Sequence, residues 1–232
     1  MKKQLFHGSD HIIETPIYGV GKKHNDYGQG FYCTEDIALA KEWAVSEEKD
    51  GYVNEYEIET NGLHILNIND GSFTLLHWMG LLLNNRAFIL ATPLEREAKR
   101  YITDCFPVPL AGVDVIIGYR ADDSYTQVIE AFLLNQINIE EIKKLFYKGS
   151  LGNQIFLKSQ KAFKQIEWKD AWQVYKDESD VTADFHARRE VNQFFSARNR
   201  AILLEGFEVP GITVRTAMGR FLLYHQEGDF YE

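Results

Sequence analysis

Asn25-Asp26-Tyr27-Gly28-Gln29-Gly30-Phe31-Tyr32-Cys33-Thr34 is the stretch on which the fold of this chain turns. It opens with polar turn-formers, passes two glycines, and ends in Phe31-Tyr32-Cys33, which has the composition of a short strand. Thr34 has the chemistry of a helix cap, and Glu35 and Asp36 would then occupy the first turn, where the helix dipole favours negative charge. Ile37, Ala40, Trp43 and Ala44 follow on one face at helical spacing.

Upstream, residues 4–7 alternate as a strand would, and Gly8-Ser9 ends the run Leu5-Phe6-His7-Gly8-Ser9. A loop over 15–30 carries four glycines together with Lys22 and Lys23. Downstream, residues 52–58 alternate, and 63–68 are expected to form the neighbouring strand after an Asn61-Gly62 turn. Residues 73–103 are helical in pattern with a break near Pro93. Residues 113–118 form a buried strand by composition, 123–147 give two helices with Asp122 and Asp123 as capping candidates, and 154–157 give another strand before a helix near 160–166. Strands separated by helical segments of uneven length predict an α+β fold. Past Trp168 the texture changes. Arg188, Arg189, Arg198 and Arg200 lie among Phe185, Val191, Phe194, Phe195 and Ile202, as on an amphipathic helix that packs on the domain or meets a partner. The expected division is 1–167 for the main domain and 168–232 for a C-terminal helical extension.

Composition excludes several classes of function. The chain has 232 residues, 45% hydrophobic and 25% charged, which suits one globular domain or one domain with an appendage. A net charge of −9 argues against a broad basic face for duplex nucleic acid. No apolar run reaches the length of about 18 residues that a bilayer requires, and Met1-Lys2-Lys3 is not followed by the apolar core of a secretory signal. Cys33 and Cys105 form no Cys-x-x-Cys pair, so neither a structural metal site nor a disulfide framework is expected. The expectation is a cytoplasmic protein without membrane contact.

Three blocks carry chemistry: residues 5–9, residues 25–34 running on to Trp43, and Asn153-Gln154-Ile155-Phe156-Leu157. They are the parts needed by a flat cationic aromatic amide attached to a ribose and a diphosphate. Two aromatic rings can sandwich the cation. A glycine offers its backbone to an amide without a Cβ in the way, and a histidine can hold ribose hydroxyls through a ring nitrogen. Lys22 and Lys23 suit a diphosphate as well as they suit a solvated loop. No Gly-x-Gly-x-x-Gly joins a strand to a helix, so a Rossmann site is not indicated.

On these residues the chain resembles the ADP-ribosyltransferase superfamily, in its diphtheria-toxin-like His-Tyr-Glu branch. The matching positions are His7-Gly8, Gly30-Phe31-Tyr32, and Trp43 eleven residues after Tyr32. It is closer still to an uncharacterised bacterial subfamily, through His7-Gly8-Ser9, the 26–32 block, Asp114-Val115-Ile116-Ile117-Gly118, Ala121-Asp122-Asp123 and the 153–157 block. The resemblance covers roughly residues 4–166. It implies a split mixed sheet with flanking helices and a pocket for NAD as co-substrate. Tyr32 and Trp43 would stack the nicotinamide, Gly8 would read its amide, and His7 would hold the adenosine-side ribose. Ser9, Asp26, Tyr27 and Gly28 would complete the binding set.

The resemblance further implies a mono-ADP-ribosyltransferase acting on a macromolecular acceptor, protein or nucleic acid. Such stand-alone domains often serve as toxins of toxin–antitoxin or phage-defence systems, with a neutralising protein as partner. One position departs from the pattern. Transferring members carry Glu where this chain has Gln154. An amide can orient a ribose hydroxyl but adds no charge to stabilise the oxocarbenium-like state. NAD hydrolysis and NAD or ADP-ribose binding without turnover are therefore the competing expectations, with Asp122 and Asp123 the first alternative sources of the charge.

Overall fold

Alternation within the strands sets the architecture. In the computed structural model, which describes residues 1–46, 48–121, 123–148, 152–177 and 218, the elements run β1 (Lys2–Ser9), β2 (Phe31–Cys33), α1 (Ile37–Ala44), β3 (Gly51–Glu59), β4 (Ile65–Asn67), α2 (Leu75–Asn85), α3 (Pro93–Cys105), β5 (Val115–Tyr119), α4 (Asp123–Leu133), α5 (Ile139–Lys148), β6 (Asn153–Leu157), α6 (Gln160–Lys164) and β7 (Ile166–Val174). The strands build two sheets. The first, β1-β3-β7, is antiparallel; the second, β2-β6-β5-β4, is mixed, with β4 and β5 parallel. They meet at an isolated bridge where Phe6 and Thr34 exchange backbone hydrogen bonds of 2.8 and 2.9 Å. The expected α+β class is the one observed.

Every second residue of these strands faces a core common to both sheets. Phe31, Cys33, Val115, Ile155 and Leu157 bury there together with Leu5, Tyr56 and Ile58. The intervening Tyr32, Ile116 and Phe156 turn the other way and pack with Trp78, Leu82, Ile102, Val128 and Phe132 of the helices. On the remaining face of β1 and β3, Phe6 and Val53 lie under Ala40 and Ala44 of α1. Each fully buried side chain of this size contributes about 1.5–3 kcal/mol. The contact of α1 with β1 depends on Gly8, where a Cβ would stand 2.0 Å from the Ala40 carbonyl oxygen and 2.5 Å from the Ala44 nitrogen.

Three expectations are corrected. Thr34 does not cap α1: its backbone is committed to the bridge with Phe6 and its hydroxyl donates to the Asn153 carbonyl (2.9 Å). Asp36 is the cap, accepting from Ala38 N at 2.9 Å and Leu39 N at 3.5 Å. The strand expected beside 52–58 is β4, but both edges of β3 are occupied by β1 and β7, so after the turn at Gly62 (φ +76°) the chain crosses to pair with β5.

The supposed helical extension begins instead as strand, and the 167/168 division falls inside β7, which pairs antiparallel with β3. Its pairing runs Glu55 with Asp170 and Tyr56 with Trp168, leaving Lys169 as the extra residue of a bulge. The bulge switches faces along β7. Ile166 and Trp168 join the core between the sheets, whereas Trp172 and Val174 join the α1 side. The helix expected over 180–204, its arginines, and the Asp122 and Asp123 capping side chains lie outside what is described. Among the described residues no helix is long and apolar enough to cross a membrane.

Candidate functional site

The 25–32 turn is closed by its own hydroxyl. Tyr32 Oη accepts from Tyr27 N (3.0 Å) and donates to the Gly28 carbonyl (2.6 Å), while the Asn25 carbonyl accepts from Gly28 N at 3.0 Å. Gly28 takes φ +94°, a conformation that a side chain would strain. Tyr27 is buried, and its hydroxyl donates to the Tyr119 carbonyl at the end of β5 (2.6 Å). Burial pushes both phenols well above their ordinary range, so they remain protonated donors.

This turn aims Asp26 inward, where it is 1% exposed. Its Oδ2 accepts from Ala121 N (2.8 Å) and from Gln154 Nε2 (2.7 Å). Its Oδ1 has no hydrogen bond among the described residues but faces Arg86 Nε at 3.2 Å as an ion pair. Arg86 follows α2 and also donates to Thr126 Oγ1 of α4 (3.2 Å). Burial raises the Asp26 carboxyl above its ordinary value, opposed by Arg86, the Ala121 N–H and the Gln154 amide. Gln154 Nε2 donates a second time, to the Tyr119 carbonyl (3.1 Å). Both neighbours of that nitrogen are pure acceptors, which fixes the amide orientation and leaves Oε1 as the group it can offer a ligand.

The opposite wall rises from β1. His7 Nδ1 lies 2.6 Å from the Tyr32 carbonyl, so Nδ1 carries the proton, and the ring packs on Phe31 at 4.5 Å. Desolvation pulls its pKa down from 6.5 to about 4, against the hydrogen bond to Tyr32, which acts to raise it. At neutral pH the ring is therefore uncharged and Nε2 is an acceptor. Beside it, the fully buried Asn54 of β3 donates to Ser9 Oγ (3.0 Å) and accepts from Ile13 N (2.7 Å), while Tyr56 Oη donates to the Ile13 carbonyl (2.5 Å). These bonds hold residues 9–13 along the rim.

Between the walls lies a cavity of about 1180 Å³, somewhat above the roughly 300–1,000 Å³ typical of small-molecule sites. His7, Gly8, Ser9, Asp26, Tyr32, Trp43 and Gln154 all line it, so the sequence candidates from β1, the 25–32 block, α1 and β6 converge. Tyr27 and Gly28 do not line it; they build the turn behind the wall. Tyr32 is 9% exposed and leans on Phe156 at 4.7 Å. Trp43 is half-buried; its Nε1 has no hydrogen-bond partner among the described residues, and the Arg120 guanidinium stands 5.7 Å from its ring centre. Arg120 is in turn paired with Glu42 of α1 at 2.7 Å.

Sequence reasoning missed Arg86, Arg120 and Asn54. The two arginines carry no local signal, because each follows a regular element and reaches the site only through tertiary packing. Asn54 did carry one: it stands at a buried phase of an alternating strand, with Tyr56 and Ile58, where a polar residue must find partners.

A two-sheet α+β protein with a cavity lined by a neutral histidine and a buried aspartate is thus defined. Residues 3–168 match the family model described as "Protein of unknown function (DUF3990)", and the chain belongs to that family. No curated protein and no solved structure matches it.

Proposed function

We propose that the protein has the ADP-ribosyltransferase fold, binds NAD in this cavity and transfers ADP-ribose from it to a macromolecular acceptor. The observation that carries the reading is the convergence, on one cavity, of His7, Tyr32, Trp43 and Gln154 from four separate segments, each lining it. Sheet pairing and the packing of α1 on β1 bring these segments together; that the marked side chains then face one cavity supports the reading. The electrostatics agree. His7 is uncharged and so does not repel a pyridinium, and its Nε2 can accept from a ribose hydroxyl. Gln154 Oε1 can accept from another. Trp43 offers a ring face, which a cationic ring would have to share with or take from Arg120. In the reaction the bond between ribose C1′ and the nicotinamide nitrogen breaks, its electron pair neutralises the ring, and an acceptor nucleophile bonds to C1′ and releases a proton. The two free cysteines, Cys33 buried, fit a cytoplasmic setting, and a toxin restrained by a neutralising partner is the role that goes with this chemistry.

The test is incubation of the purified protein with labelled NAD, alone and in lysate, with products separated. Transfer leaves label on a macromolecule, hydrolysis leaves free ADP-ribose, and a binding module leaves NAD intact while still showing a thermal shift. Trp43→Ala is expected to weaken NAD roughly ten- to a hundredfold, equivalent to about 1–3 kcal/mol. Absence of both a thermal shift and nicotinamide release at millimolar NAD would sink the proposal.

A further inference from the structure

We infer that Asp26 supplies, by way of Gln154, the negative charge that a carboxylate on β6 would otherwise bring to the pocket, which makes it a positioning residue for glycosidic cleavage. The inference rests on the NAD reading above.

Three observations lead to it. First, Asp26 is one of the least exposed polar groups described, yet it belongs to the cavity wall. A buried carboxylate is costly unless it is held, and this one is held by Arg86, the Ala121 N–H and the Gln154 amide. Second, the cluster is polarised. Arg86 stands on the Oδ1 side and Gln154 on the Oδ2 side, so the negative end of the ion pair is turned towards position 154. In a low-dielectric surround that orientation is felt strongly over a few ångströms. Third, a carboxylate 2.7 Å from Nε2 draws the amide dipole into line and strengthens Oε1 as an acceptor. Gln154 Oε1 thereby presents to a ribose hydroxyl what a carboxylate oxygen would, while the formal charge sits one residue further back. Asp26 replaces Asp122 and Asp123 as the source of charge.

The arrangement makes a counterintuitive demand on position 154. Gln154→Glu does not simply add the missing charge, because it sets two carboxylates within hydrogen-bonding distance, and such a pair retains one proton. The groups facing Asp26 are Arg86, Arg120, Tyr27 and Tyr32. Guanidinium groups in general do not deprotonate in proteins, and burial raises both tyrosines. A new titration in this variant therefore belongs to the carboxylate pair.

The experiment compares wild type, Asp26→Asn, Gln154→Glu and the Asp26→Asn/Gln154→Glu double variant, with NAD affinity, nicotinamide release and thermal stability from pH 5 to 8 measured on each. Asp26→Asn is expected to lower nicotinamide release about tenfold or more, with NAD affinity changed by less than about threefold. The double variant, which moves the charge onto β6, is expected to recover release. Gln154→Glu alone is expected to lose stability relative to wild type as pH rises, since its shared proton is bound more tightly in the folded state than in the unfolded one; the double variant loses that slope. Wild-type release from Asp26→Asn that still binds NAD overturns the inference and leaves NAD binding standing, as does a double variant no better than Asp26→Asn. A Gln154→Glu protein without the pH slope overturns it by denying the contact. If wild type neither binds nor cleaves NAD, the proposed function falls and takes this inference with it, and the slope, read without NAD, identifies that failure as one of function rather than of geometry.

Discussion

The two walls of the cavity differ in charge where β1 faces the Asp26 cluster, while the acidic Asp10 and Glu14 line the cavity beyond the end of β1. On the β1 wall, His7 is desolvated and uncharged, and its neighbours Ser9 and Asn54 are neutral hydrogen-bonding groups. On the facing wall, Asp26 and Arg86 form an ion pair with Gln154 attached, and Arg120 pairs with Glu42 nearby. The neutral wall is two adjacent strands held largely by backbone contacts. The charged wall is assembled from the 25–32 turn, the end of α2, the segment after β5, β6 and α1. A wall of the first kind can present a ligand with acceptors at little cost. The second kind fixes charge only because every member restrains another, so damage to one member spreads.

The sharpest way to break the comparison is Asp26→Ala. Arg86 would lose its counter-ion, and the Ala121 N–H and Gln154 amide their acceptor. Breaking a buried pair from one side typically costs about 3–5 kcal/mol, to be read from the urea midpoint. A loss below about 1 kcal/mol would place the cluster in the surface class and remove the distinction between the walls.

The neutral wall is sharpened by acid. The folded pKa of His7 is about 4 against an ordinary 6.5, so the unfolded chain binds the proton first. His7 therefore lends stability that is fully present above pH 6.5 and lost as pH falls through the window down to about 4. The full window is worth up to about 3 kcal/mol. His7→Gln is expected to flatten this part of the stability–pH curve, and an unchanged slope in that variant would assign the acid lability to other groups.

The smallest effect concerns the turn that joins the two walls. Tyr32→Phe removes the hydroxyl that serves both Tyr27 N and the Gly28 carbonyl. One buried donor left without an acceptor costs about 1–3 kcal/mol, and amide exchange at Tyr27 is expected to accelerate while exchange in β3 does not.

What the sequence disclosed follows the same division. The blocks 5–9, 25–34 and 153–157 were legible because each is a short contiguous run whose residue types and spacing resemble a known motif set. The charged wall was not, since Arg86 and Arg120 have no periodicity or motif around them, and Asp26 was marked for ligand binding without its partners. Thr34 misled because it has a cap's side chain but a bridge's backbone. In β7 the large apolar residues keep one alternation through Lys169, but the bulge switches the face it presents, so Ile166 and Trp168 point to one core and Trp172 and Val174 to another.

The hydrogen bond between Asp26 and Gln154 spans 128 positions of the chain. At the usual pace of about 5–20 residues per second on a ribosome, the two ends of that bond are made roughly 6–25 s apart. Once Glu59 has been made, β1 and β3 can pair, so the histidine wall can exist while the carboxylate wall has neither β6 nor its amide. Pairings of such separation close late and slowly. On that schedule half a pocket can be built while its charge is still exposed to water, and the cluster is complete only once β6 has joined the fold.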